Sequence, residues 1–325
     1  MSPDGGAALV VQGLAKKYDE VEAVKGIDFE VARGEVFGFL GPNGAGKTTT
    51  INMLCTLSRP TGGTAWVAGY DVVLERDEVR RSIGLVFQDP TVDGYLTGEQ
   101  NLRFHAELYG VPKETVDDRV KEVLDMVGLW ERRKSKAETY SGGMRRRLEI
   151  ARGLLHSPDV LFLDEPTVGL DPQTRAAIWK YIEDLRKHER LTIFMTTHYM
   201  EEAEYCDRIA IMDHGAIVAL DSPGNLKASV GADRLRIQTA DDEAAVVALR
   251  EFLNVEAVLR DGAVTFAVPE GEKFVPRLFT ELGVPIKSVN VAGPSLDDVF
   301  LNYTGTTIRD AEQSPDEGWK HMMVR

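Results

Sequence analysis

Cysteine is scarce in this chain, with Cys55 and Cys206 the only two among 325 residues. Two isolated cysteines exclude a disulfide framework or a cysteine-rich metal cluster and point to a reducing, cytosolic compartment. No run reaches the roughly 18 apolar residues that a membrane-spanning helix needs, so any membrane role would rely on another chain. The N-terminus lacks the charged-then-apolar profile of a secretion signal. Positive charge is also short, with 38 Lys and Arg against 52 Asp and Glu. The resulting net charge of −14 weighs against a nucleic-acid partner, since such binding rests on clustered Lys and Arg. Internal repeats and long low-complexity tracts are absent. What the chain has in quantity is apolar surface: it is 43% hydrophobic, enough for the cores of about two domains.

Short apolar runs at Val36–Leu40 and at residues 83–87, 160–163 and 191–196 read as buried strands. Residues 8–14 and 23–31 alternate like strands too. Residues 48–57 and 172–187 read as helices, as does the stretch after Thr97, whose hydroxyl and Gln100 form a capping box. Pro112 is placed to start the next helix. Strands alternating with helices predict an α/β fold with a largely parallel sheet.

Chemistry concentrates at the ends of these runs. Gly41-Pro42-Asn43-Gly44-Ala45-Gly46-Lys47-Thr48, followed by Thr49, fits the phosphate-loop pattern GxxxxGK[ST] between a strand and a helix. Its glycines let backbone N–H groups wrap phosphates, Lys47 reaches the terminal ones, and Thr48 offers a hydroxyl to Mg²⁺. The run from Leu161 ends in two acids. Asp164 is placed to hold Mg²⁺, and Glu165 to take a proton from an attacking water. Gln88 ends another strand, where it would sense metal or water. His198 follows a third, where its imidazole would hold a terminal phosphate. Ser141, Gly142 and Gly143 precede a helix expected from Arg145, and make a second anion-binding turn. The run Arg145-Arg146-Arg147 at that helix start conflicts with the macrodipole. A nearby anion would relieve the conflict; a solvated basic face is the plainer reading. Asp171 is placed either at the nucleotide or as a helix cap. Tyr18 would stack on a base or sit as a partly buried strand-end residue.

Together these residues resemble the ATP-binding subunits of ABC transporters over residues 8–226. Tyr18 matches the aromatic A-loop, residues 41–48 Walker A, Gln88 the Q-loop, residues 160–164 Walker B, Glu165 the catalytic glutamate, Asp171 the D-loop and His198 the H-switch. The signature turn differs from Leu-Ser-Gly-Gly-Gln at its ends, where Tyr140 and Met144 stand. That variant is similar to the daunorubicin-resistance, drug-exporting branch. The resemblance implies ATP and Mg²⁺ as cofactors and an ATPase driving export through a separate transmembrane permease at the cytoplasmic membrane face. It also implies a head-to-tail homodimer in which Ser141, Gly142 and Gly143 hold the partner's ATP. Residues 97–128 would dock the permease, with Tyr95, Leu96, Phe104 and Tyr109 as candidate contacts. The alternative is a non-transport ABC ATPase of translation or DNA repair. Such proteins carry paired ATPase domains or long insertions that this chain lacks.

Composition shifts after about Leu226. Strand and helix patterns then follow in the order βαββαβ, a small ferredoxin-like α+β domain with a hairpin turn at Asp261-Gly262. Ser295 caps one more helix, which ends at Gly305, and this segment also resembles the drug-exporter branch. The expected division is an ATP-binding domain over residues 8–230, with a helical subdomain at about 89–157, and an accessory domain over 231–305. Residues 1–7 and 306–325 are expected to be flexible tails.

Overall fold

The computed structural model describes residues 6–189, 191–260 and 262–305. The expected C-terminal tail and Asp261 of the hairpin turn lie outside the described residues, as do the first five residues of the N-terminal tail. The chain separates into two units, one ending at Ser222 and the other beginning at Pro223.

The first unit opens with β1 (Ala7–Tyr18) and β2 (Val21–Ala32), an antiparallel pair. It continues through β3 (Val36–Leu40), α1 (Lys47–Leu54), β4 (Gly62–Val67), β5 (Tyr70–Asp71), α2 (Arg76–Ser82) and β6 (Ile83–Val86). Three helices follow: α3 (Gly98–Leu108), α4 (Val116–Met126) and α5 (Gly142–Leu154). The unit closes with β7 (Val160–Asp164), α6 (Pro172–Glu189), β8 (Thr192–Thr197), α7 (Met200–Ala203), β9 (Arg208–Asp213) and β10 (Ala216–Asp221).

The parallel sheet expected from the alternation is present, in the order β10-β9-β3-β8-β7-β6, with β10 alone running antiparallel. Strands β3, β7 and β8 are buried along their whole length, which is why they read as unbroken apolar runs rather than alternating ones. The first strands do not join this sheet. β1 and β2 form a second, antiparallel sheet in the order β2-β1-β4-β5, because a tight hairpin with no intervening helix can only pair antiparallel. Phe29 of β2 welds the two sheets by stacking on Phe37 and meeting Phe39 edge-on, 5.5 and 5.1 Å between ring centres.

Register sets the site. Leu40 pairs with Thr197, and Asp164 with Thr196, so β3, β8 and β7 end level with one another. Gly41, His198 and Glu165 are the residues that follow those ends. Phe87 and Gln88 follow β6, next in line. In open parallel sheets, ligands bind outside such carboxyl ends.

Two helix starts differ from expectation. Thr97 caps α3 through the expected box with Gln100, but α4 begins at Val116. The carbonyl of Pro112 accepts from Thr115 N and Val116 N, closing a separate turn first. Helix α5 begins at Gly142, not Arg145, with Ser141 as its cap.

The second unit contains α8 (Pro223–Val230), β11 (Asp233–Thr239), α9 (Asp242–Leu253), β12 (Ala257–Arg260), β13 (Ala263–Val268), α10 (Gly271–Glu281), β14 (Ile286–Ala292) and α11 (Leu296–Thr304). Its antiparallel sheet has the order β12-β13-β11-β14, the ferredoxin-like arrangement of a βαββαβ chain. Leu235, Ile237, Leu249, Val264, Phe266 and Leu278 fill its core. Helix α8 packs on α11, so this unit takes in residues 223–230, ahead of the expected division. Ser295 and Asp298 cap α11 reciprocally, and Gly305 closes it in the left-handed region.

Candidate functional site

The phosphate loop leaves β3 and enters α1. Gly46 has φ 105°, and a Cβ there would lie 2.5 Å from the Ala23 carbonyl oxygen, so both backbone and space demand glycine. Lys47 is buried. Its Nζ donates to the carbonyls of Gly41 (2.7 Å) and Pro42 (3.0 Å) and lies 3.4 Å from Glu165 Oε1. The ammonium is thus held over the loop and lines a cleft of about 180 Å³ together with Asn43, Gly44, Gly46, Thr48, Thr49, Gln88 and Glu165.

The two acids differ in surroundings. Asp164 Oδ1 accepts from Thr196 Oγ1 at 2.5 Å and from Thr48 Oγ1 at 3.3 Å. Burial pushes its carboxyl above the usual range, and these two hydrogen bonds only partly offset that. Glu165 sits just past the strand in the left-handed region, φ 46°, a conformation costing a non-glycine residue about 1 kcal/mol. Its N–H donates to Thr196 Oγ1 at 3.0 Å, and His198 Nδ1 lies 3.3 Å from its Oε2. Burial pushes Glu165 up, but the contact with His198 and the charge of Lys47 outweigh it and hold the carboxylate below its ordinary pKa. Their surroundings therefore push the two carboxyls in opposite directions, Asp164 up and Glu165 down. Thr196→Val removes a hydrogen bond that favours ionised Asp164, so the acid limb of kcat/KM for ATP should move to higher pH. Thr196→Ser, which keeps the hydroxyl, should leave it in place. A limb unmoved in both variants would detach it from Asp164.

These groups suit a nucleoside triphosphate with Mg²⁺. A buried ammonium and the start of a helix face the cleft, where phosphate oxygens would lie. Thr48, Asp164 and Gln88 offer the hard oxygen donors Mg²⁺ takes. Among the described residues no group of three or more His, Cys, Asp or Glu could hold a metal. The ion would therefore depend on the phosphates for further ligands.

The remaining candidates lie elsewhere. Ser141 Oγ accepts from Met144 N at 3.2 Å, while helix geometry leaves the N–H groups of Gly142 and Gly143 without intrahelical partners. A Cβ on Gly143 would lie 2.3 Å from Thr174 Cγ2, so this glycine also lets α5 approach α6. Tyr140, which departs from the family's leucine, is buried and donates its hydroxyl to Arg132 O at 2.7 Å. Asp171 is exposed and uses both oxygens to cap α6, accepting from Gln173 N, Thr174 N and Thr174 Oγ1. Of its two readings, the helix cap is the one the chain displays. Tyr18 ends β1 with Lys16 Nζ 4.7 Å from its ring centre.

Sequence reading missed Arg146. It is not a solvated basic residue. It is 93% buried (7% exposed) and donates to the carbonyls of Pro166 (2.6 Å), Phe87 (2.5 Å), Asp164 (3.2 Å) and Glu165 (3.4 Å), and to Glu149 Oε2 (3.0 Å). Arg147 likewise turns inward, to Val127 O at 2.9 Å. The clash of three arginines with a helix N-terminus was the available signal, and the acid at i+3 from Arg146 named its partner. Glu202 was also missed; buried beyond His198, it accepts from Thr167 Oγ1 and Thr197 Oγ1.

Such a layout of strand ends belongs to the P-loop nucleoside triphosphatases. A family model described as "ABC transporter" matches residues 24–168, and one described as the C-terminal domain of DrrA1-3-like ATP-binding proteins matches residues 222–304. The chain is 41% identical to the daunorubicin/doxorubicin resistance ATP-binding protein DrrA of Streptomyces peucetius, over 95% of this chain and 97% of that one. It is 39% identical to the linearmycin resistance ATP-binding protein LnrL of Bacillus subtilis, over 93% and 100%. A dimeric ATP-binding cassette bound to ADP and Pi superposes with a TM-score of 0.59 at 27% identity, covering 66% of this chain and 98% of that chain. The chain therefore belongs to the ABC transporter ATP-binding protein family, in the branch with the DrrA-like C-terminal domain, and it is an ATPase. The alternative of an ATPase of translation or DNA repair gives way to this assignment.

Proposed function

We propose that this chain powers export of a drug-like, lipid or antibiotic substrate through a separate membrane-spanning subunit, working as a homodimer on the cytoplasmic membrane face. The observation that carries the reading is the Glu165 carboxylate, held ionised between Lys47 and His198 in the lining of the phosphate-loop cleft. Near-full-length similarity to resistance proteins supports the export role. Among the described residues no helix is long and apolar enough to cross a membrane, so the translocation path is assigned to the partner.

In this reading Lys47 and the loop N–H groups bind the phosphates, and Tyr18 stacks on adenine. Thr48, Asp164 and Gln88 hold Mg²⁺, which when bound neutralises phosphate charge. Glu165 accepts the proton of the attacking water, and His198 orders the terminal phosphate. Ser141, Gly142 and Gly143 close over ATP on the partner's loop, with the Asp171 turn beside them. Ser141→Arg tests the shared site. In a mixed dimer with one such chain, the site on the wild-type loop should fail and the site on the mutant's own loop should survive. Vanadate trapping should then hold half as much nucleotide as in the wild-type dimer. Full trapping would remove the signature turn from the partner's site.

The docking face is assigned to the region around α3, where Tyr95 and Phe104 are 80% and 55% exposed. Leu96 is half-buried and Tyr109 stacks on His156, so these two contribute less. Tyr95→Glu with Phe104→Glu should abolish co-purification with a membrane partner while ATPase activity stays intact. Unchanged recovery would move the docking face elsewhere.

A further inference from the structure

One ion pair on α5 grips the bend that carries Gln88 at both of its ends. Arg146 Nη1 donates to the carbonyl of Phe87, just before Gln88, at 2.5 Å. Glu149 Oε1 accepts from the N–H of Thr91, three residues after Gln88, at 2.7 Å. The two side chains meet at 3.0 Å, one helical turn apart. Between these grips the chain has no regular secondary structure and its residues are exposed, so little else sets the position of Gln88. The same guanidinium also holds the carbonyls of Asp164, Glu165 and Pro166. A single planar cation therefore reaches the backbone on both sides of the cleft that Gln88 and Glu165 line. It lies about one helical turn from the Gly142–Gly143 start of its own helix.

Stability alone does not call for such a pair. Two charges taken out of water lose hydration that their attraction barely offsets, and apolar residues of similar volume usually hold a fold as well. What the pair supplies, and an apolar contact would not, is direction. A guanidinium donates along fixed lines in one plane, and apart from the one to Glu149 each hydrogen bond here ends on a backbone carbonyl beside the site.

The geometry points to Arg146 and Glu149 as positioning residues that fix Gln88 relative to Glu165 and tie both to the helix start formed by Gly142 and Gly143. The assignment rests on the reading of Gln88 and Glu165 given above. Arg146 touches neither substrate nor metal in this role. It acts through the backbone of the residues that do. A displacement of about 1 Å in such groups is enough to cost up to 10²-fold in rate.

The test uses the full chain as Arg146→Met, Glu149→Leu and the double variant. Each single change strands a buried charge and is expected to lower the folded fraction; the double variant removes both charges and keeps the interior filled. Four quantities are measured: ATP affinity without Mg²⁺, kcat, the Mg²⁺ concentration for half-maximal turnover, and amide hydrogen exchange at Thr91. For the folded double variant, kcat should fall about tenfold or more, half-maximal turnover should need more Mg²⁺, and the Thr91 amide should exchange faster. ATP affinity should stay within about twofold, because the phosphate loop is untouched. A folded double variant with wild-type kcat, Mg²⁺ requirement and Thr91 exchange would overturn the assignment, leaving the pair a packing feature. Glu165→Gln in parallel separates the two levels: if it stops turnover while the double variant does not, the site reading stands and the positioning role alone falls.

Discussion

Glu165→Gln should bind ATP as well as the wild type yet turn it over at least about 10²-fold more slowly, as expected when a positioned general base is removed. The substitution keeps the shape of the side chain and its place after β7, where the backbone N–H is held by Thr196 Oγ1. It removes the negative charge that Lys47 faces at 3.4 Å and His198 at 3.3 Å. Nothing in phosphate binding is lost, since the loop N–H groups and Lys47 remain. Electrostatically, the phosphates gain, because a carboxylate in the cleft repels them. The variant should therefore accumulate as an ATP-bound dimer, seen by size-exclusion chromatography with ATP present. Turnover near the wild-type rate would remove Glu165 from the base role and send the search to Asp164 or a water-mediated path.

Lys47→Met acts on the other half of the same ion pair, with a different signature. Charge-assisted hydrogen bonds to phosphate are worth about 1.5–3 kcal/mol, so ATP affinity should drop roughly 10- to 100-fold, and turnover by more, because charge develops on the phosphoryl oxygens in the transition state. The two carbonyls of Gly41 and Pro42 lose their donor, and Glu165 loses one of the two groups that keep it ionised, so its pKa should rise. Binding loss in Lys47→Met against binding retained in Glu165→Gln is the contrast that assigns the roles. Lys47→Arg should not rescue, because a planar fork cannot place one donor between two carbonyls as an ammonium does. Equal ATP affinity in wild type and Lys47→Met, by equilibrium fluorescence with an ATP analogue, would contradict the phosphate role.

Much of this was legible in the linear chain. Strand ends Leu40, Asp164 and Thr197 are marked by apolar runs that give way within a residue or two to glycine, acids or histidine, a local signal. The Thr97 and Ser295 caps were legible for the same reason, since a capping box is complete within four residues. The start of α5 was set three residues late because two glycines disguise a helix whose first turn is fastened by Ser141 rather than by propensity. Strands β4, β5, β9 and β10 and helices α2, α7 and α8 went unread. Strands β9 and β10 follow one another with a short turn and no helix between them, so the βα alternation used elsewhere passes over them, and α8 shows itself only by packing on α11.

The chemistry of the ATP site, then, is written in short contiguous motifs, because each needs a backbone shape and a side chain supplied within a few residues. Which motifs face one another is a matter of strand order and register. Leu40 lies beside Thr197, and Thr196 beside Asp164, only because β8 inserts between β3 and β7. Arg146 marks the limit of local reading most sharply. Its three-arginine context reads as surface, and its burial depends on carbonyls 18 to 59 positions away along the chain. A long-range hydrogen bond leaves no periodicity and no spacing behind, so folding alone turned that arginine from a solvated charge into the tie between Gln88, Glu165 and the signature helix.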